Sequence, residues 1–323
     1  MLVIAEADVP GLVSIADAIA CVEATFAALD RETAKNYPVV REVLGQADAV
    51  FGVKSGFDRS LGALGLKAGG YWPGNQAKGL TNHQSAVLLF DPESGRPAAL
   101  IGGNYLTGAR TGAASAIATK HLARPDARVL GVIGAGQQAR YQITATRAVR
   151  SIGKIVAWDQ ASDQAARLKS WVEEQGLEFQ AGASAEAVVR AADILITVTP
   201  AQQAIVMQGW VRPGTHINAM GADTRGKQEL DTALVQASAI YVDSLAQSFE
   251  IGECQSAFRA GLIAENNIRG SLGGLCSGRI KGRSRAEEIT LFDGTGVALQ
   301  DLAVAALTLE RARAKGVGAS VNF

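Results

Sequence analysis

Between residues 129 and 139 an apolar run, Val129-Leu130-Gly131-Val132-Ile133, passes into Gly134-Ala135-Gly136-Gln137-Gln138-Ala139, a G-x-G-x-x-A sequence followed by a helical pattern. A strand that turns on glycine into a helix brings backbone N–H groups and the positive end of the helix dipole to one point. The first glycine permits the turn, the second lets a pyrophosphate approach, and the small third residue lets helix and strand pack closely. The pattern predicts a dinucleotide site on Gly134, Ala135, Gly136, Gln137 and Gln138. Asp159 ends the next apolar run, 25 positions after Gly134, and Gln160, Ala161 and Ser162 follow it in place of an arginine. A carboxylate there accepts hydrogen bonds from ribose hydroxyls and repels a 2′-phosphate, so NAD (NADH) is favoured over NADP; the alternative is a solvated strand end. Thr199-Pro200 closes a later run, where such sheets line the nicotinamide side of the crevice.

A second set of residues can hold an anion. Arg41 stands in Val39-Val40-Arg41-Glu42-Val43, and Lys67 stands among glycines in Gly65-Leu66-Lys67-Ala68-Gly69-Gly70. A guanidinium binds a carboxylate through two parallel hydrogen bonds. A lysine out of water can bind the anion or donate a proton. For Arg41 the alternative is an edge residue with its stem packed and its head in water. Asp223, just past an apolar run, can stabilise an iminium or move its proton, or it can cap a helix after Gly226.

These residues need two kinds of scaffold. Ile15, Ile19, Val22, Phe26 and Leu29 recur at helical spacing after Ser14, with Asp17 placed for a capping box. From about residue 38, short β-rich stretches separated by turn residues predict an antiparallel meander. Residues 104–123 read as a helix rich in small residues, and from 128 strands alternate with helices, the grammar of a doubly wound parallel sheet. The last long helix, after Gly296, is expected to return to the N-terminal part. The predicted division is residues 1–120 with 296–323, and 121–295.

Composition narrows the function. In 323 residues, 48% hydrophobic and 19% charged residues with a mean hydropathy of +0.11 suit large cores. The 31 basic and 31 acidic residues balance, which argues against nucleic acid as a partner. Cys21, Cys254 and Cys276 are scattered, so neither a disulfide framework nor a metal site is expected. The N-terminus lacks a secretory pattern and no apolar run is long enough to span a membrane. A cytoplasmic protein with a small ligand is the expectation.

Taken together, Pro38-Val39-Val40-Arg41, Gly65-Leu66-Lys67, Leu89-Phe90-Asp91, the segment from Leu106 through Arg110 to Ser115, the Gly134 turn, and Gly221-Ala222-Asp223 with Gly226-Lys227-Gln228-Glu229-Leu230 resemble the ornithine cyclodeaminase/mu-crystallin family over nearly the whole chain. The resemblance implies a Rossmann doubly wound sheet plus an α+β substrate and dimerisation domain made from the meander and the C-terminal helix, in a homodimer. It implies hydride exchange between a nicotinamide and the α-carbon of a small amino or imino acid. It assigns the substrate carboxylate to Arg41 and Lys67, and places Arg110 and Thr81 near carboxylate and cofactor. Asp223 becomes the acid/base, and Thr199, Met220, Gly221, Ala222, Lys227 and Gly294 join the cofactor site. A non-catalytic binding protein is the alternative, and the joint presence of Arg41, Lys67, Arg110 and Asp223 speaks against it.

The sequence departs from the cyclodeaminase pattern at Asp223-Thr224-Arg225-Gly226-Lys227, where Thr224-Arg225 replaces Cys-Pro. Arg225 adds a cation and His83 a donor, each of which suits an anionic substrate; otherwise Arg225 is a solvated loop charge and His83 a core residue. The pattern is most similar to reduction of a dicarboxylic imine, iminosuccinate to L-aspartate. Alanine dehydrogenase, cyclic ketimine reductase and ornithine cyclodeaminase activities are the alternatives.

Overall fold

The computed structural model describes residues 1–322, in two compact units: Met1–Arg110 with the chain from Val297 onward, and Thr111–Gly296. The first division falls at Arg110, inside a helix, rather than at residue 120.

In the first unit, β1 (Leu2–Ile4), β2 (Ala34–Asn36), β3 (Val40–Val43), β4 (Val50–Asp58), β5 (Ala63–Tyr71), β6 (His83–Phe90), β7 (Pro97–Gly102) and the short strand Ala319–Ser320 form one sheet. Strands β4 to β7 run as an antiparallel meander, and β1 lies parallel to β7. Directly opposed residues of a ladder share a face. The pairings Arg41 with Gly52, Gly52 with Gly69, and Lys54 with Lys67 therefore put Arg41, Lys54 and Lys67 on one face. The C-terminal helix Ala298–Lys315 packs over this face where Gly56 opposes Gly65. A Cβ on Gly56 would stand 3.1 Å from Leu299 Cδ2, and one on Gly65 3.2 Å from Leu302 Cδ2, so the close approach depends on bare backbone. Helix α1 (Ile15–Asp30) begins at the Ser14–Asp17 capping box. Asp17 also takes both terminal nitrogens of Arg311, at 2.6 and 2.7 Å, which ties α1 to the C-terminal helix. That hydrogen bonding holds the Asp17 carboxyl well below its usual range.

The second unit is an all-parallel sheet of β8 (Val129–Ile133), β9 (Lys154–Trp158), β10 (Glu178–Ala181), β11 (Ile194–Thr197), β12 (His216–Ala219), β13 (Ala239–Val242), β14 (Ile268–Ser271) and β15 (Thr290–Asp293), in the order β10-β9-β8-β11-β12-β15-β13-β14. The strand order reverses between β8 and β11, the place where such sheets open a crevice at their carboxyl ends. The sequence reading has no strand at residues 290–293. Thr-Leu-Phe-Asp is fully buried there and inserts between β12 and β13, and four residues are too few to show a period. Among the described residues no helix is long and apolar enough to cross a membrane.

Candidate active site

In the second unit, β8 ends at Gly134, whose φ of +97° lies in the left-handed region and whose added Cβ would meet Val198 O at 2.7 Å. Only glycine fits this turn. Gly136 caps the 13-residue helix Gln137–Val149, and a Cβ there would meet nothing within 4 Å, so the helix N-terminus is approached over open backbone. Asp159 accepts from Ala135 N at 2.6 Å and from Ala161 N at 2.8 Å. Its carboxylate thus fixes the turn from the neighbouring strand end. Left-handed glycine, bare helix N-terminus and adjacent carboxylate together fit an adenine dinucleotide.

The ends of β11 and β12 are strapped by a residue absent from the predicted site. Fully buried Glu229 accepts from Thr197 Oγ1 at 2.7 Å, from Thr199 N at 2.7 Å and Oγ1 at 2.8 Å, and from Gly221 N at 2.9 Å. Glu253, also buried, accepts from the backbone N–H groups of Glu229 and Leu230. Asp293 accepts from Ser248 Oγ and from the N–H groups of Glu253 and Cys254. Burial pushes all three carboxyls up, Asp293 to about 6, and Glu229 and Asp293 raise Glu253 further by their charge. Met220 and Gly294 extend the ladders beyond β12 and β15, Met220 N donating to Thr197 O and Gly294 N to Ala219 O. Ala222 is buried.

Asp223 lies just beyond, one-third exposed, and accepts from Lys227 Nζ at 2.7 Å and Thr224 Oγ1 at 3.1 Å. It is not a helix cap, since the next helix, Thr232–Ala237, is capped by Asp231. Lys227 Nζ also donates to Gly221 O, so one ammonium ties the acid to the loop. Arg225 does not join this group. Its side chain is 70% exposed and pairs with Glu250, where solvent leaves a charge little effect on a ligand.

The first unit holds the cations. Glu6 accepts from the N–H groups of Asn104 and Tyr105 and so caps the helix Asn104–Leu122, which carries Thr107 and Arg110 on one side three residues apart. Lys67 Nζ donates to Asp301 Oδ1 at 2.9 Å and to Thr107 Oγ1 at 3.2 Å. Arg110 Nε donates to the same Asp301 oxygen at 3.0 Å, and its Nη1 to Gln300 Oε1 at 3.1 Å. Burial brings Lys67 down to about 7 against the pull of Asp301, with Arg110 and Lys54 adding to the fall. Burial opposes ionisation of Asp301, but the charges of Arg110 and Lys67 outweigh it and lower its pKa. Arg41 is half-buried at the β3 edge of the same sheet. Thr81 Oγ1 donates to His83 O at 2.8 Å, which positions the start of β6. Lys54, Glu253, Gln300 and Asp301 escape the sequence reading, and Glu229 enters it only as part of the family motif, with no role assigned.

The family model for the ornithine cyclodeaminase/mu-crystallin family matches residues 1–316. The chain is 48% identical over 323 residues to the iminosuccinate reductase of Paracoccus denitrificans, covering all of both chains. The structure of that enzyme with NAD+ superposes with a TM-score of 0.93 over 100% of this chain and 99% of the other. The Thermococcus litoralis Δ1-pyrroline-2-carboxylate reductase, solved with NADH and L-proline, gives 0.96 at 35% identity over 99% and 100%. An archaeal alanine dehydrogenase dimer with bound NAD gives 0.95 at 37% over 100% and 99%. A fingerprint turn on a doubly wound sheet, a strand lysine and a helix arginine anchored on one carboxylate, and full-length likeness make this chain a member of the ornithine cyclodeaminase/mu-crystallin family.

Proposed function

We propose that the protein is an NAD-dependent imine reductase that converts a small dicarboxylic imino acid, iminosuccinate, into L-aspartate. The observation that carries the reading is the convergence of buried Lys67 and Arg110 on one oxygen of Asp301. Two cationic heads are fixed before substrate arrives, which is what selective binding of an amino-acid carboxylate requires. Arg41, Lys67 and Arg110 hold the α-carboxylate, with Thr81 and His83 at the adjoining strand end. Gly134 to Gln138, Asp159, Thr199, Met220 to Ala222, Lys227 and Gly294 hold the dinucleotide. Bound NADH supplies the hydride for the imine carbon. Asp223, oriented by Lys227, stabilises positive charge on the substrate nitrogen and carries its proton. We further infer a homodimer working in the cytoplasm.

The test is NADH oxidation with oxaloacetate, pyruvate or glyoxylate in the presence of ammonia, and with cyclic ketimines. The fastest turnover is expected for oxaloacetate with ammonia. No consumption with any substrate overturns the reading, and preference for a cyclic ketimine moves it to another activity of the family.

A further inference from the structure

We propose that Gln255 is a positioning residue for the reaction, holding the Asp223 carboxyl where it can pass a proton. The proposal rests on the reading above, in which Asp223 is the acid, and adds how an acid at the start of an exposed turn is kept in one place. Residues 224–227 form that turn. Lys227 N donates to Thr224 O at 3.3 Å, Gly226 has a φ of +86°, and Arg225 and Gly226 are exposed. A surface turn with few packed neighbours moves unless something ties its backbone down. Proton transfer requires the carboxyl within hydrogen-bond reach of the reacting atom, and a misplacement of about 1 Å costs about a hundredfold in rate.

Gln255 supplies the tie. It is the first residue of the short helix Gln255–Arg259 and is fully buried. Its Nε2 donates to Thr224 O at 3.2 Å, Lys227 O at 3.1 Å and Gly252 O at 2.9 Å, and its Oε1 accepts from Gly226 N at 2.8 Å. A backbone N–H can only donate and a carbonyl only accept, so this network fixes which end of the amide faces which group. One side chain thus grips the turn at both ends and in the middle and fastens it to the chain entering the helix. Two side chains donate to Asp223 Oδ1, Thr224 Oγ1 at 3.1 Å and Lys227 Nζ at 2.7 Å. They belong to the same two turn residues whose carbonyls Gln255 holds. The orientation of the acid therefore passes through one buried amide. Burying an amide is costly unless it is bonded, and the bonds of this one go mainly to the turn. Arg225, between the two held carbonyls, pairs with Glu250 at the surface, where an ion pair contributes little.

The experiment is a double-mutant cycle read by kcat for NADH oxidation with oxaloacetate and ammonia, and by Tm. Gln255→Met keeps the length of the side chain and removes the amide; Gln255→Asn keeps the amide one methylene short of the turn and serves where the apolar variant does not fold. Each is expected to lower kcat about tenfold or more in the wild-type background. In the Asp223→Asn background the same substitution is expected to lower kcat less than about twofold further, because residues that act as a unit are not additive. The Tm loss is expected to be the same in both backgrounds. Equal fold-losses of kcat in the two backgrounds, or wild-type kcat in a folded Gln255 variant, overturn the positioning role and leave the reductase and acid readings standing. Full turnover in Asp223→Asn overturns the acid reading and the role of Gln255 with it. Absence of NADH oxidation by the wild type overturns the reductase reading on which both depend.

Discussion

Lys67 is the residue whose charge is most open to pH. Burial lowers it from 10.5 to about 7. Because kcat/KM follows the ionisation of the free enzyme, the expected profile for an anionic imine falls as pH rises above about 7, where the ammonium is lost. Lys67→Arg keeps its charge throughout, so that variant is expected to lose this alkaline limb whatever its absolute rate. A limb that persists in Lys67→Arg assigns it to another group. Stability moves the opposite way. Between about 7 and 10.5 the unfolded chain still binds the proton that native Lys67 has released, so unfolding free energy rises with pH through that window. The penalty is fully present below about 7. Asp301 has the complementary role, and Asp301→Asn leaves two buried cations without their shared counter-charge, an expected loss of about 3–5 kcal/mol. Denaturant unfolding measures it, and a loss below about 1 kcal/mol contradicts a shared anchor.

Among the elements, the ends of β11 and β12 depend on Glu229, which replaces four separate satisfactions with one carboxylate. Glu229→Gln presents an amide donor where Thr199 N and Gly221 N already donate, so one buried N–H loses its acceptor at a cost of about 1–3 kcal/mol. The loops it straps include Thr199 and Gly221, so the KM for NADH is expected to rise more than the KM for the imine. Equal KM changes argue for a structural role only. What the sequence reveals about these elements follows the range of the interaction. The turn at Gly134, the Ser14–Asp17 cap and the meander are legible because their patterns close within a few residues. Asp301 lies 234 residues from Lys67 and 191 from Arg110. In an amphipathic helix it reads as one more surface charge. Lys54 reads as the polar partner in an alternating strand until the register sets it against Lys67, and Glu229 and Glu253 read as loop acids until the fold buries them together. Arg225 misleads for the converse reason, since proximity to Asp223 in sequence says nothing of where a long exposed side chain finds its partner.

At the scale of the whole molecule, the first unit leaves an apolar edge. β3 pairs with β4 on one side, and Val40, Val43 and Leu44 on it and just after it are 53%, 74% and 47% exposed. Phe51 and Tyr71 on β4 and β5, and Leu80 beyond, add to the same part of the chain. An exposed edge strand with valines invites pairing and aggregation unless something covers it. Apolar patches of this kind mark association surfaces, and a twofold contact lets one patch cover its own copy. The inferred homodimer supplies that cover. In sedimentation velocity at micromolar concentration the wild type is expected to run as a dimer and Val43→Glu as a monomer. Val321→Glu, at a 43% exposed position near the chain end, is the control expected to leave the dimer intact. Dimerisation also makes the wild-type Tm rise with protein concentration, and Val43→Glu is expected to remove that dependence. A wild type that sediments as a monomer, or a Val43→Glu protein that remains dimeric, places the contact elsewhere and leaves the valine edge to be guarded by the twist and shortness of β3 alone.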